Sequence, residues 1–122
     1  NLSRFRKHRF SKRELSRRTV SDSLKLLRVL LIPEFTERLE KTLCINFTDE
    51  KAIYYSIRNS IAIIDEKKDE TPYLNLTSET WYDILSRKLT LSQAEEEGLL
   101  EMSDSNEVKS FFACFDLDSL NS

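Results

Sequence analysis

Between Val20 and Ile32 the apolar residues Leu24, Leu27 and Leu31, with Leu26, Val29 and Leu30 beside them, have the spacing of a helix with a broad buried face. Ser21 is placed to cap its start and Pro33 to end it, because proline drives the preceding residue out of the helical region. A shorter amphipathic piece is expected at Glu34 to Leu39. The period then falls to two. In TLCINFT, Leu43, Ile45 and Phe47 alternate with Cys44, Asn46 and Thr48, the pattern of a half-buried strand. AIYYSI repeats it with Ile53, Tyr55 and Ile57, and SIAIID with Ile61 and Ile63. The links DEK at 49–51 and RN at 58–59 are short, so antiparallel hairpins are expected. YLNLT, carrying Leu74 and Leu76, reads as a fourth strand of the same meander.

Helical spacing returns at Ser78, a candidate cap with Glu79 in the first turn, and places Trp81, Ile84, Leu85 and Leu89 on one stripe. LSQAEEE gives a second short helix, capped by Thr90 or Ser92 and stopped at Gly98, the one glycine among 122 residues. A helix ending at Glu97 calls for a following residue with positive φ, which glycine adopts without steric penalty. LLEMS alternates again, with Leu100 and Met102 on one face. Asp104, with Glu107 three residues on, opens a last helix bearing Val108, Phe111, Phe112 and Phe115. The order α-ββββ-αα-β-α predicts an α+β domain, a mostly antiparallel five-stranded sheet covered by helices.

Charge divides the chain in two. Residues 1–18 hold eight Lys or Arg against the single acid Glu14, a balance of +7, so the remainder carries −9 of the overall −2. Residues 1–19 are therefore read as a basic N-terminal arm or helical linker and residues 20–122 as the α+β domain. Such an arm could meet nucleic acid or an anionic membrane. Its two aromatics, Phe5 and Phe10, are few for interleaving with bases, so contact with the acidic surface of its own body or of a neighbouring domain is the expected use. Cys44 and Cys114 are far apart in the sequence, lie in apolar runs and form no CxxC pair, which fits buried reduced thiols and a cytoplasmic protein. The sequons at Asn46 and Asn75 fall inside strand-like runs and are discounted as glycosylation sites. No apolar stretch approaches the roughly 20 residues of a membrane span. The chain begins at Asn1 and not at methionine, which fits a segment of a longer protein.

The chemistry a catalytic site needs is sparse. His8 is the only histidine, so no histidine-based metal set or nucleophile triad can be assembled, and one glycine excludes a glycine-rich phosphate loop. Glu95, Glu96 and Glu97 splay around a helix and read as a solvated face. No catalytic residue, metal or cofactor is expected. The apolar and aromatic residues stay open to two readings: a closed core, or the lining of a cavity for an apolar ligand between sheet and helices. The candidate lining is Ile53, Tyr55, Ile61, Ile63, Leu74 and Leu76 from the strands, with Trp81, Leu85, Leu100, Met102, Phe111, Phe112 and Phe115. A closed core would leave a protein interaction or dimerisation domain as the alternative function.

LNLTSETWYDILSRKLTLSQAEEEGLLEM, followed by the Phe-rich final helix, resembles the sterol carrier protein type-two-like domain. CINFTDEKAIYYSIRNSIAIID is similar in particular to the version that forms the C-terminal domain of alkylsulfatases. The likeness extends over about residues 20–117 and rests on Thr90, Gln93, Ala94 and Gly98 and on Phe47, Thr48 and Asp49. The chain departs from the pattern at Asn59-Ser60, where the family favours Asn-Gly, and between Ser103 and Asp104, where a glycine is missing. The resemblance implies an α+β domain with an apolar groove for an alkyl sulfate, fatty acyl or sterol-like molecule. It also implies a non-catalytic accessory role, bringing aliphatic substrate to a binuclear zinc site in a separate catalytic domain, beside a helical dimerisation region. None of those zinc ligands lies in this chain.

Overall fold

A computed structural model describes residues 19–117; the basic arm over 1–18, with His8, lies outside the described residues. The first helix, α1 (Val20–Leu27), is capped by Thr19, whose Oγ1 accepts from the Asp22 N–H at 3.0 Å. The expected cap at Ser21 is thus displaced, because Ser21 is already helical. After α1 the backbone tightens into a 3₁₀ turn over Arg28–Leu30, and Leu31 is extended, bridging to Phe115. Pro33 both ends this segment and opens α2 (Pro33–Thr36) at its first position, where a missing N–H costs nothing.

Strands β1 (Glu40–Phe47), β2 (Ala52–Arg58) and β3 (Ile61–Asp65) form the expected antiparallel hairpins. The turn between β2 and β3 puts Asn59 at φ 50° and Ser60 at φ 65°, both in the left-handed region that a two-residue hairpin needs. Serine serves where glycine is usual because α2 holds it: the Ser60 N–H donates to the Thr36 carbonyl at 2.9 Å, and Thr36 Oγ1 donates to Ser60 Oγ at 3.0 Å.

The meander stops there. The connection over 66–72 is too long for a hairpin, and β4 (Tyr73–Leu76) crosses to the far side of β1, where it pairs in parallel. The register sets Leu74 beside Ile45 and Leu76 beside Phe47, completing one apolar face. After helices α3 (Ser78–Leu85) and α4 (Leu91–Glu96), β5 (Leu100–Met102) adds antiparallel to β4, giving the order β3-β2-β1-β4-β5. Helix α5 (Ser105–Phe112) is the last α-helix among the described residues, its Asp104 cap accepting from the Glu107 N–H, and Phe115 beyond it returns to the core. The result is α+β with a mostly antiparallel sheet containing one parallel pair.

Leu43, Ile45, Phe47, Ile53, Tyr55, Ile57, Leu74, Leu76 and Leu100 point to the inner face, where Val20, Leu24 and Leu27 of α1, Trp81, Ile84 and Leu85 of α3, and Val108, Phe111 and Phe112 of α5 cover them. In β3 the expected faces are reversed. Arg58 sits opposite Ile61, and Ile57 opposite Ala62, so Ala62 is fully buried while Ile61 and Ile63 share the outer face and Ile61 is 59% exposed. The two-residue turn fixes this register, and a one-residue difference in register exchanges every side chain between faces.

Candidate ligand-binding site

Of the residues expected to line a cavity, the fold gathers Ile53, Tyr55, Leu74, Leu76, Trp81, Leu85, Leu100, Phe111, Phe112 and Phe115 into one cluster, with Met102 packed against it. Ile61 and Ile63 are not part of it. The aromatic members form a continuous chain. Phe47 meets Trp81 edge-on at 5.6 Å, Trp81 lies 5.8 Å from Phe112, Phe112 is 5.6 Å from Phe111, and Phe111 and Phe115 flank Tyr55 at 6.2 and 6.1 Å. These separations lie within the range favoured by aromatic pairs, so the centre of the cluster is filled by side chains.

Two buried polar tips are satisfied by the first helix. Trp81 Nε1 donates to Ser23 Oγ at 2.8 Å, and Ser23 Oγ donates to the Val20 carbonyl at 2.6 Å. The Tyr55 hydroxyl donates to the Leu24 carbonyl at 2.5 Å, and burial raises its pKa well above the ordinary phenol range. It stays protonated and acts as a tether and not as an acid or base. Cys44 and Cys114 are free thiols, both buried, and burial raises the Cys114 pKa while Lys41 opposes the shift.

Open space begins at one end of this cluster. A cavity of about 310 Å³ lies between β1, α5 and the connection into β4; its lining is mostly polar, with Lys41, Lys68, Asp69, Glu70 and Glu107, and the nearly buried Leu43 and Phe111 lie at its base. It exists because β4 joins β1 only from Cys44 onward, so the flank of β1 at Lys41–Leu43 borders space and not a strand. The wall formed by the β3–β4 connection is anchored. Lys68 Nζ donates to Asp65 Oδ2 at 2.9 Å, Ser56 Oγ donates to the same oxygen at 2.8 Å, and Thr42 Oγ1 lies 2.7 Å from Ser56 Oγ. The Lys68 and Ser56 hydrogen bonds and the Glu66 N–H hold the Asp65 carboxyl far below the usual carboxylate range. A second depression of about 350 Å³ lies on the outer face, among Cys44, Tyr54, Tyr73 and two asparagines, Asn46 and Asn75.

Lys41, Leu43, Lys68 and Glu107 were not among the residues marked as candidates from the sequence. One signal was present: Lys41 shares the alternation of Leu43, Ile45 and Phe47, which puts a cation on the inner face one step from the core. Lys68 and Glu107 join it only through the crossover. Glu95, Glu96 and Glu97 are exposed, and Glu95 pairs with Lys109 at 3.6 Å. Among the described residues no group of three or more His, Cys, Asp or Glu is placed to hold a metal ion, and no helix is long and apolar enough to cross a membrane.

No protein-family model matches the sequence, and no curated protein matches it significantly. Solved structures do. The stereoselective inverting sec-alkylsulfatase Pisa1 from Pseudomonas sp. is 25% identical and superposes with a TM-score of 0.72 over 81% of this chain, which spans only 16% of that enzyme. The ubiquinone synthesis protein UbiJ-SCP2 superposes with a TM-score of 0.64 at 18% identity, over 80% of this chain and 94% of its own. Sterol carrier protein 2 like 2 from Aedes aegypti does so with a TM-score of 0.53 at 16% identity, over 80% and 94%. The chain is a domain of the sterol carrier protein type-two-like fold and resembles the C-terminal domains of alkylsulfatases.

Proposed function

We propose that this chain is a non-catalytic module that binds the apolar chain of an amphipathic small molecule, serving as an accessory domain of an alkylsulfatase-like hydrolase. The observation that carries the reading is the sterol-carrier-like fold shared with Pisa1, UbiJ-SCP2 and the Aedes protein, together with a cavity at the edge of the apolar cluster beside β1 and α5. Its volume, about 310 Å³, stands at the lower end of the range of small-molecule sites, roughly 300–1,000 Å³. In this reading catalysis is the work of a separate domain.

Titrating the full chain with dodecyl sulfate, below its micellar concentration, against a displaceable fluorescent acyl probe tests the reading. One-to-one saturable displacement is expected, with a rise in melting temperature, because a ligand that binds only the folded state stabilises it by mass action. Non-saturable uptake without a rise in melting temperature would overturn it.

A further inference from the structure

Strand β3 is one edge of the sheet, with β2 as its single strand neighbour among the described residues. In a two-residue hairpin the pair that closes the turn, here Arg58 with Ile61, exchanges both backbone bonds. Ile61, Ile63 and Asp65 therefore bond to β2, while the N–H and C=O groups of Ala62 and Ile64 point away from the sheet. Neither residue finds another backbone partner among the described residues. Edge strands are ordinarily protected by lysine, proline, a bulge or sheer shortness. The opposite edge, β5, follows that rule with three residues and an exposed Glu101. Strand β3 does not: residues 61–64 are an apolar run with three isoleucines, in unbroken register with β2.

Among the described residues, four of the six large apolar side chains that stand exposed gather at this edge. Ile61 and Ile64 belong to the strand, Val29 to the 3₁₀ turn packed beside it, and Phe35 to α2, which holds the β2–β3 turn through Thr36. Charge is also ordered along the edge. Glu66 follows its C-terminal end, whereas Arg58 and, in the 3₁₀ turn that leads into α2, Arg28 belong to its N-terminal end. Arg28 and Glu66 are exposed, and neither has an ion-pair partner among the described residues.

We infer that β3 is the pairing edge for a second copy of this chain, joined antiparallel about a two-fold axis so that two sheets become one. A closed, self-complementary contact of this kind meets itself through the same residues on both sides. With Ala62 opposite Ala62, the two copies exchange their outward backbone bonds, and Ile61 of each copy falls beside Ile63 of the other on the outer face. The same axis carries Glu66 of each copy toward the arginine end of the other, so unlike charges meet at both ends of the contact. Residues 1–18 suit this edge poorly, since they hold eight Lys or Arg and no Val, Ile or Thr.

Sedimentation velocity of the full chain over a wide range of concentration tests the contact with wild type, Ile61→Lys, Ile64→Lys and Leu99→Lys, each first checked for an unchanged circular dichroism spectrum. Leu99 is the control, as exposed as Ile64 at 43% but beside the opposite edge. Wild type is expected to dimerise, each β3 lysine to weaken the dimer about tenfold or more, and Leu99→Lys to change it less than about twofold. Glu66→Arg and Arg28→Glu should each weaken the dimer, and the two combined should restore it. A mixture of Ile61→Cys and Ile63→Cys chains should form a crosslinked dimer faster than either chain alone, because these positions face each other across the axis. A chain that stays monomeric, a dimer that ignores the β3 lysines, one that Leu99→Lys weakens equally, or crosslinking no faster in the mixture overturns the inference.

Discussion

Gly98 follows α4 with φ +72°, and the two bonds beside it form a Schellman closure: Gly98 N–H donates to the Glu95 carbonyl at 3.2 Å and Leu99 N–H to the Ala94 carbonyl at 2.9 Å. A Cβ here would meet nothing within 4 Å, so the requirement is backbone conformation alone. Gly98→Ala is therefore expected to cost about 1 kcal/mol, and Gly98→Asn less, as denaturant midpoints will show. At the end of β3, Asp65 offers a test by pH. Its folded pKa is depressed, by Lys68 first and then by Ser56 and the Glu66 N–H, below an unfolded value of about 3.9. The stability it contributes is complete above that value and is lost as pH falls through about 4 toward the folded pKa. Asp49, depressed by the Ser78 side chain and N–H, adds in the same direction. Denaturant midpoints should drop on acidification, and Asp65→Asn should lower stability at neutral pH and flatten that acid slope. A parallel, unflattened slope in the variant would remove Asp65 from the account.

Element boundaries follow local chemistry, with small displacements that have local causes. Thr90 caps α4 as expected, and Gln93 closes the box by accepting from the Thr90 N–H at 2.9 Å. The cap of α3 is Thr77 and not Ser78, because the Ser78 N–H and hydroxyl are both taken by Asp49 of the β1–β2 turn. Strand β3 is where local pattern misled. IAIID holds three isoleucines, and any alternation through it puts isoleucine on at least one face; the register with β2 decides which. Two substitutions test that register by thermal and chemical unfolding. Ile61→Thr, on the outer face, should change stability by no more than about 0.5 kcal/mol. Ala62→Leu, opposite Ile57 in the core, should destabilise by about 1–3 kcal/mol through overpacking. The opposite order would restore the faces expected from alternation alone.

Across the whole molecule one residue ties the layers together. Trp81 of α3 touches Phe47 of β1 and Phe112 of α5 and bonds Ser23 of α1. As the single tryptophan, it should report in fluorescence the same unfolding transition that circular dichroism reports for the backbone, and both thiols should resist modification until that transition. Separate midpoints would show that α3 opens apart from the sheet. Much of this architecture was legible beforehand. The changes of period at Thr42, Ser78 and Leu99, the stop at Gly98 and the aromatic stripe on α5 follow from side-chain alternation, capping and backbone sterics, which act between residues near in sequence. Those forces determined the elements, their order and most of the core. They could not determine that β4 crosses to pair in parallel with β1, because strand pairing is chosen by which apolar faces complete one another across the sheet. Nor could they place Lys41, Phe111 and the β3–β4 connection around one cavity. That opening exists because β4 begins beside Cys44 and leaves the start of β1 uncovered, a relation between distant segments that only the tertiary structure decides.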